Sequence, residues 1–80
     1  MNDTEIFEVV RRKTVEVLPD VAPSAVSLDG RLVDLGANSL DRVDIVTLTM
    51  DELGVVVPVA EFGGVSDLRS LVTLLGRYTP

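Results

Sequence analysis

The chain is 80 residues long, carries a formal charge of -6, has a pI near 4.3, and contains neither cysteine nor histidine. That length closes a single core near the size at which small proteins often need staples, and without cysteine no disulfide can supply one. Lacking a base poised at pH 7, a thiol nucleophile and the usual zinc ligands, it is not expected to be an enzyme, and its acidity disfavours nucleic acid and anionic membranes while favouring basic protein surfaces.

Met1 to Glu5 lacks the basic and apolar regions of a signal peptide. The longest apolar run, Gly54 to Ala60, is interrupted by Pro58 and too short for a bilayer. A cytoplasmic monomer forming one domain over residues 1–80 is therefore expected.

The first helix begins with Asp3 or Thr4 as its cap and has apolar residues at Ile6, Val9, Val10 and Val17, widened by Phe7 and Leu18. Glu8 and Arg12 are spaced to pair on its wet side, and Pro19 stops it. From Pro19 to Asn38 no period persists, and Pro23, Ser24, Ser27, Asp29 and Gly30 mark turns. A loop this long inside a small domain needs anchoring, which Val26, Leu28, Leu32, Val33 and Leu35 are expected to provide. A short strand over Arg31 to Leu35 is the competing reading.

The second helix is expected from Ser39 to Leu53, with Asn38 or Ser39 as cap, Asp41 in the first turn and Gly54 as the left-handed stop. Val55 to Val57 resembles a strand but has no partner, so it reads as an extended link into a single helical turn around Val59 to Phe62, ended by Gly63-Gly64. Ser66 then caps a last helix with Asp67 in its first turn and Leu68, Leu71, Val72 and Leu75 at core spacing, ended by Gly76 and Pro80. The expected fold is all-α: an antiparallel four-helix bundle with three longer helices, a short third helix, and a long loop between the first two.

The informative stretch is Asp34-Leu35-Gly36-Ala37-Asn38-Ser39-Leu40-Asp41. A glycine turn here presents a serine at the start of an acidic helix. Such a serine is usually only a cap. The stretch nevertheless resembles the Asp-x-Gly-x-x-Ser-Leu attachment motif of the acyl and peptidyl carrier proteins, matched at Asp34, Gly36, Ser39 and Leu40, and the likeness in length, acidity and helix order covers almost the whole chain.

The resemblance implies that Ser39 carries 4′-phosphopantetheine, attached from coenzyme A by a phosphopantetheinyl transferase. A phosphate at a helix amino terminus meets free N–H groups and the positive end of the dipole. Asp34, Gly36 and Asn38 flank the attachment point. Gly36 allows the sharp turn, Asp34 bonds local N–H groups or lies beside the arm, and Asn38 departs from the aspartate or histidine common before the serine. No catalytic or metal-ligating residue is expected.

Two rotations of the second helix compete. Periodicity alone buries Leu40, Val43, Val46, Met50 and Leu53. The resemblance instead turns Ile45, Val46, Thr49 and Leu53 inward, leaving Leu40, Asp41, Arg42, Val43, Asp44, Thr47 and Asp51 as the face that partner enzymes read, an apolar patch ringed by charge. Arg42 interrupts the acidity; it encodes partner choice, pairs locally, or meets the incoming phosphate.

Gly36 to Val43, in a freestanding chain, resembles the discrete donor carriers of polyketide β-branching. That resemblance implies an acetyl or other short acyl cargo, an acyl-loading enzyme, and a hydroxymethylglutaryl synthase-like partner. A general fatty-acid or type II polyketide carrier serving a ketosynthase is the alternative. In a reading of another class, the chain is an unmodified helical adaptor in which Ser39 only caps its helix.

Overall fold

A computed structural model describes residues 1–80 as three α-helices and three short 3-10 segments, with no strand. The α-helices are α1 (Asp3–Val17), α2 (Ser39–Leu53) and α3 (Leu68–Gly76). The short third helix is a 3-10 segment, Val59–Gly64, and the long loop between α1 and α2 carries two more, Pro23–Ala25 and Leu32–Leu35. All three α-helices feed one core. Ile6, Phe7 and Val10 come from α1, Ile45 from α2, and Leu68, Leu71, Val72, Leu74 and Leu75 from α3, with Val26, Leu32, Ala37 and Val57 inserted from the connections.

The cap of α1 is Asn2, one residue ahead of the expected Asp3 or Thr4. Its side-chain oxygen accepts from the Glu5 N–H at 2.9 Å, and the Glu5 carboxylate accepts from the Asn2 N–H at 3.3 Å. Glu5 is the residue that decides it, because only Asn2 lies three positions before a carboxylate able to answer. At the start of α3 the same logic replaces Ser66 by Asp67. Asp67 accepts from the Ser70 N–H at 2.8 Å, and the Ser70 hydroxyl receives the Asp67 N–H at 3.0 Å. The Ser70 N–H also holds the Asp67 carboxyl below its ordinary pKa.

The loop is fastened from both sides. Arg11 of α1 donates to the Pro23 and Val26 carbonyls at 3.1 and 3.3 Å and lies over the Phe7 ring, 4.6 Å from its centroid. The Gly30 and Leu28 carbonyls accept from the Leu68 and Arg69 N–H groups at 2.9 and 2.8 Å. Those are two of the amide donors that the first turn of α3 leaves without helical partners. Val26 and Leu32 are buried and Leu28 and Leu35 packed, as expected, but Val33 is 48% exposed and anchors nothing. The strand reading of Arg31 to Leu35 gives way to a 3-10 turn, which satisfies its backbone locally where no partner strand exists.

Gly54 closes α2 at φ 70, a left-handed conformation that side chains resist. Val55 to Val57 forms no regular element; the Val55 N–H donates to the Met50 carbonyl at 3.1 Å, and Val57 is buried. The following 3-10 turn includes Gly63-Gly64, two residues beyond the expected stop. Two buried hydroxyls face no water: Thr14 donates to the Val10 carbonyl and Thr49 to the Ile45 carbonyl, each at 2.7 Å and one turn back.

Glu8 pairs with Arg11 rather than Arg12. Arg12 reaches across to Glu52 at the far end of α2, where Lys13 joins it at 3.3 Å. The hydrogen bond from Arg12 is the main reason that the Glu52 pKa falls from 4.5 to about 2, with Lys13 assisting. A carboxyl depressed in the folded state stabilises fully above its unfolded pKa, and that contribution disappears as the pH falls through the folded value. Glu52→Gln should therefore lower the melting temperature at pH 7. The gap to the parent should narrow between about pH 4.5 and about 2. Thermal scans of both proteins across that range check it, and a gap independent of pH would contradict the pairing.

Candidate functional site

The loop enters α2 through four residues with separate tasks. After the Leu32–Leu35 turn, Gly36 takes φ 94, and a Cβ there would meet nothing within 4 Å, so the requirement for glycine lies in the backbone. Ala37 is buried in the core and donates to the Leu32 carbonyl at 3.2 Å, which holds the entry down. Asn38 is the cap: its side-chain oxygen accepts from the Asp41 N–H at 2.8 Å, and the Asp41 carboxylate accepts from the Asn38 N–H at 3.1 Å. Ser39 is thereby the first residue of α2 with no capping duty.

That division frees the serine. The Ser39 side chain is exposed, and its Oγ has one hydrogen-bond partner, the Arg42 guanidinium, with Nη2 at 3.4 Å. Asp34 does not join this group. It is exposed and held by Arg31, Nε to Oδ2 at 3.0 Å and Nη2 to Oδ1 at 3.1 Å, rather than by backbone N–H groups. Losing the Asn38 cap costs about 1 kcal/mol. Asn38→Ala should lower the urea midpoint by a matching amount, and an unchanged midpoint would show that the cap is idle.

The exposure of α2 follows the second rotation: of the periodic stripe, Val46, Met50 and Leu53 pack on the core, but Leu40 and Val43 do not. Ile45 and Thr49 are buried and Val46 and Leu53 pack on the core, while Leu40 is 75% and Val43 61% exposed. Asp44, Thr47 and Asp51 are exposed beside them, and Asp41 and Arg42 are half-buried. Next to Ser39 runs an apolar groove of about 370 Å³, lined by Val43, Val46 and Met50 of α2 and by Val59 and Phe62 of the 3-10 turn, with Ser39, Arg42 and Thr47 as its polar rim. The sequence pointed to no such groove, because its two walls lie far apart along the chain and share no period. No group of three or more Asp or Glu is placed to hold a metal ion, so these carboxylates form a charged face.

The family model of the phosphopantetheine attachment site matches residues 8–75. The chain belongs to the acyl carrier protein family. Relatives agree along nearly their full lengths. The carrier is 35% identical over 75 residues to a polyketide biosynthesis acyl carrier protein of Bacillus subtilis, covering 94% of this chain and 92% of that one. It is 39% identical over 72 residues to an acyl carrier protein of Campylobacter hominis, with 89% and 90% covered. To the acyl carrier protein of Campylobacter concisus it is 35% identical over 73 residues, with 90% and 94% covered. Membership makes the chain a carrier rather than an enzyme, with a covalent 4′-phosphopantetheine as its cofactor and a phosphopantetheinyl transferase and acyl-processing enzymes as its partners.

Proposed function

We propose that Ser39 is the attachment point of 4′-phosphopantetheine and that residues 1–80 work as one carrier domain, delivering a short acyl group, acetyl above all, to polyketide enzymes. The observation that carries this reading is the exposed Ser39 hydroxyl, relieved of capping by Asn38. The adaptor alternative needs Ser39 to be the cap, and Asn38 already fills that position. The residues suit the cofactor: an accessible hydroxyl at the amino end of a 15-residue helix, with a guanidinium beside it, favours an anion on that oxygen. Asn38 and Gly36 set its position, while Asp34, in the preceding 3-10 turn, is held by Arg31.

When bound, the group supplies the terminal thiol that this cysteine-free chain lacks, and holds the acyl chain as a thioester. Serine needs no base of its own, since a transferase activates it against coenzyme A. Leu40 and Val43, ringed by Asp41, Asp44, Thr47 and Asp51 with Arg42 among them, form the face offered to partners. Basic partner surfaces complement it. No helix is long and apolar enough to cross a membrane, in keeping with a cytoplasmic carrier.

The partner we favour is a hydroxymethylglutaryl synthase-like enzyme, which condenses the acetyl group with a β-keto chain on another carrier. The stretch from Gly36 to Val43 and the polyketide name of the Bacillus relative support it. The Campylobacter relatives support the runner-up, a general fatty-acid or type II polyketide carrier. The acetylated carrier should be offered in parallel to a hydroxymethylglutaryl synthase-like enzyme with an acetoacetyl acceptor carrier, and to a ketosynthase with malonyl acceptor. Loss of the acetyl mass only with the first is expected; loss only with the second moves the assignment to the runner-up.

A further inference from the structure

Of seven cationic side chains, five sit in ion pairs: Arg11 with Glu8, Arg12 and Lys13 with Glu52, Arg31 with Asp34, and Arg69 with Asp29. Arg77, at the exposed end of α3, is free in solvent. Arg42 is different. It is half-buried on a helix whose other charged residues are all acidic, yet it forms no ion pair with any of them. Its sequence neighbour Asp41 turns its carboxylate back onto the Asn38 N–H, and Asp67, which lines one groove with Arg42, accepts from the Ser70 N–H. The residue before Ser39 is an uncharged asparagine, so it offers no carboxylate either.

What Arg42 has instead is the Ser39 hydroxyl at 3.4 Å, a long contact to a neutral acceptor. Its side chain lies between the apolar groove and a second groove walled by Arg31 to Val33 and Val65 to Leu68. A guanidinium so placed is already a neighbour of any anion carried on Ser39 Oγ. A phosphodiester spreads one negative charge over two non-bridging oxygens, and the planar fork of arginine matches that pair. Arg31, the other cation of the second groove, is committed twice over to Asp34.

We propose that Arg42 binds the phosphodiester on Ser39 and so fixes the direction in which the pantetheine arm leaves α2. This rests on Ser39 being the attachment point. Arg42 is a positioning residue: it leaves the chemistry to partner enzymes and restricts rotation at the root of the arm. The carrier thereby neutralises one of its own charges beside the arm, and partners meet an oriented arm on a face that is otherwise acidic.

The test compares apo and loaded protein by NMR, with loading at Ser39 established first by mass. Loading should move the Arg42 Nε–H proton downfield and slow its exchange with water. Arg42→Gln, loaded, should show a displaced phosphorus resonance, and Arg42→Lys should recover part of the displacement. If the loaded parent keeps the Arg42 side-chain signals of the apo form, the inference is overturned whatever the variants do. A phosphorus resonance in loaded Arg42→Gln that coincides with the parent's overturns it as well. Absence of any mass gain at Ser39 is a distinct result, which overturns the attachment assignment and this inference together.

Discussion

Ser39→Ala will take up no phosphopantetheine and will fold as well as the parent. Both halves follow from the division of labour at the start of α2. The hydroxyl is the only group there that is exposed, able to form a phosphodiester and free of structural duty, since Asn38 supplies the cap and Ala37 the buried anchor. Replacing it deletes the acceptor outright, so the loss should be complete rather than partial. The helix loses only the long contact to Arg42, and alanine is the better helix former at an exposed position. The change in unfolding free energy should stay within about 0.5 kcal/mol. Urea unfolding of Ser39→Ala beside Asn38→Ala separates the roles: the asparagine variant should be the weaker protein, and the reverse order would return the capping role to the serine.

Ile45→Ala and Val43→Ala, two positions apart on α2, should behave as opposites. Ile45 is fully buried among core residues drawn from all three α-helices. Truncating such a side chain loses its transfer free energy and leaves a cavity, a cost of about 2–5 kcal/mol. A domain this small has a net stability toward the low end of about 5–15 kcal/mol, so the variant should lose roughly half or more of it and unfold at a much lower urea midpoint. Val43 is 61% exposed, and its truncation should leave the urea midpoint within error while weakening capture by partner enzymes. Denaturation of the pair tests the rotation of α2 directly. Equal losses would place the buried stripe elsewhere.

That rotation also marks the limit of what periodicity could reveal. The stripe Leu40, Val43, Val46, Met50 and Leu53 is regular, yet only its last three residues pack on the core while Ile45 and Thr49 are fully buried, so regular spacing alone misplaces the centre of the buried face. Resemblance to a family supplied the inward set Ile45, Val46, Thr49 and Leu53. The bounds of α2, Ser39 to Leu53, were legible from Asp41 and Gly54, but the choice of Asn38 over Ser39 as the cap was left to the structure. At α1 and α3 the cap shifted by one residue, since adjacent candidates compete and the choice depends on a side chain three positions later. The stitching of the Leu28 and Gly30 carbonyls to α3 left no trace in composition. Nor did the groove beside Ser39, which needs Val59 and Phe62 brought back over α2. The spacing of Ser39 and Arg42 was visible, but that Arg42 has no carboxylate of its own emerges only when every other charge has been placed.

The central claim is that one serine, Ser39, carries the arm, and a tryptic map of the loaded protein tests it most directly. The chain has five serines, at positions 24, 27, 39, 66 and 70, and cleavage after Arg31 and Arg42 isolates Ser39 in a peptide with no other. After incubation with coenzyme A, magnesium and a broad-specificity transferase, the phosphopantetheine mass should appear on the peptide from Leu32 to Arg42 alone. The same mass on any other serine-containing peptide, or on none with several transferases, would contradict the account.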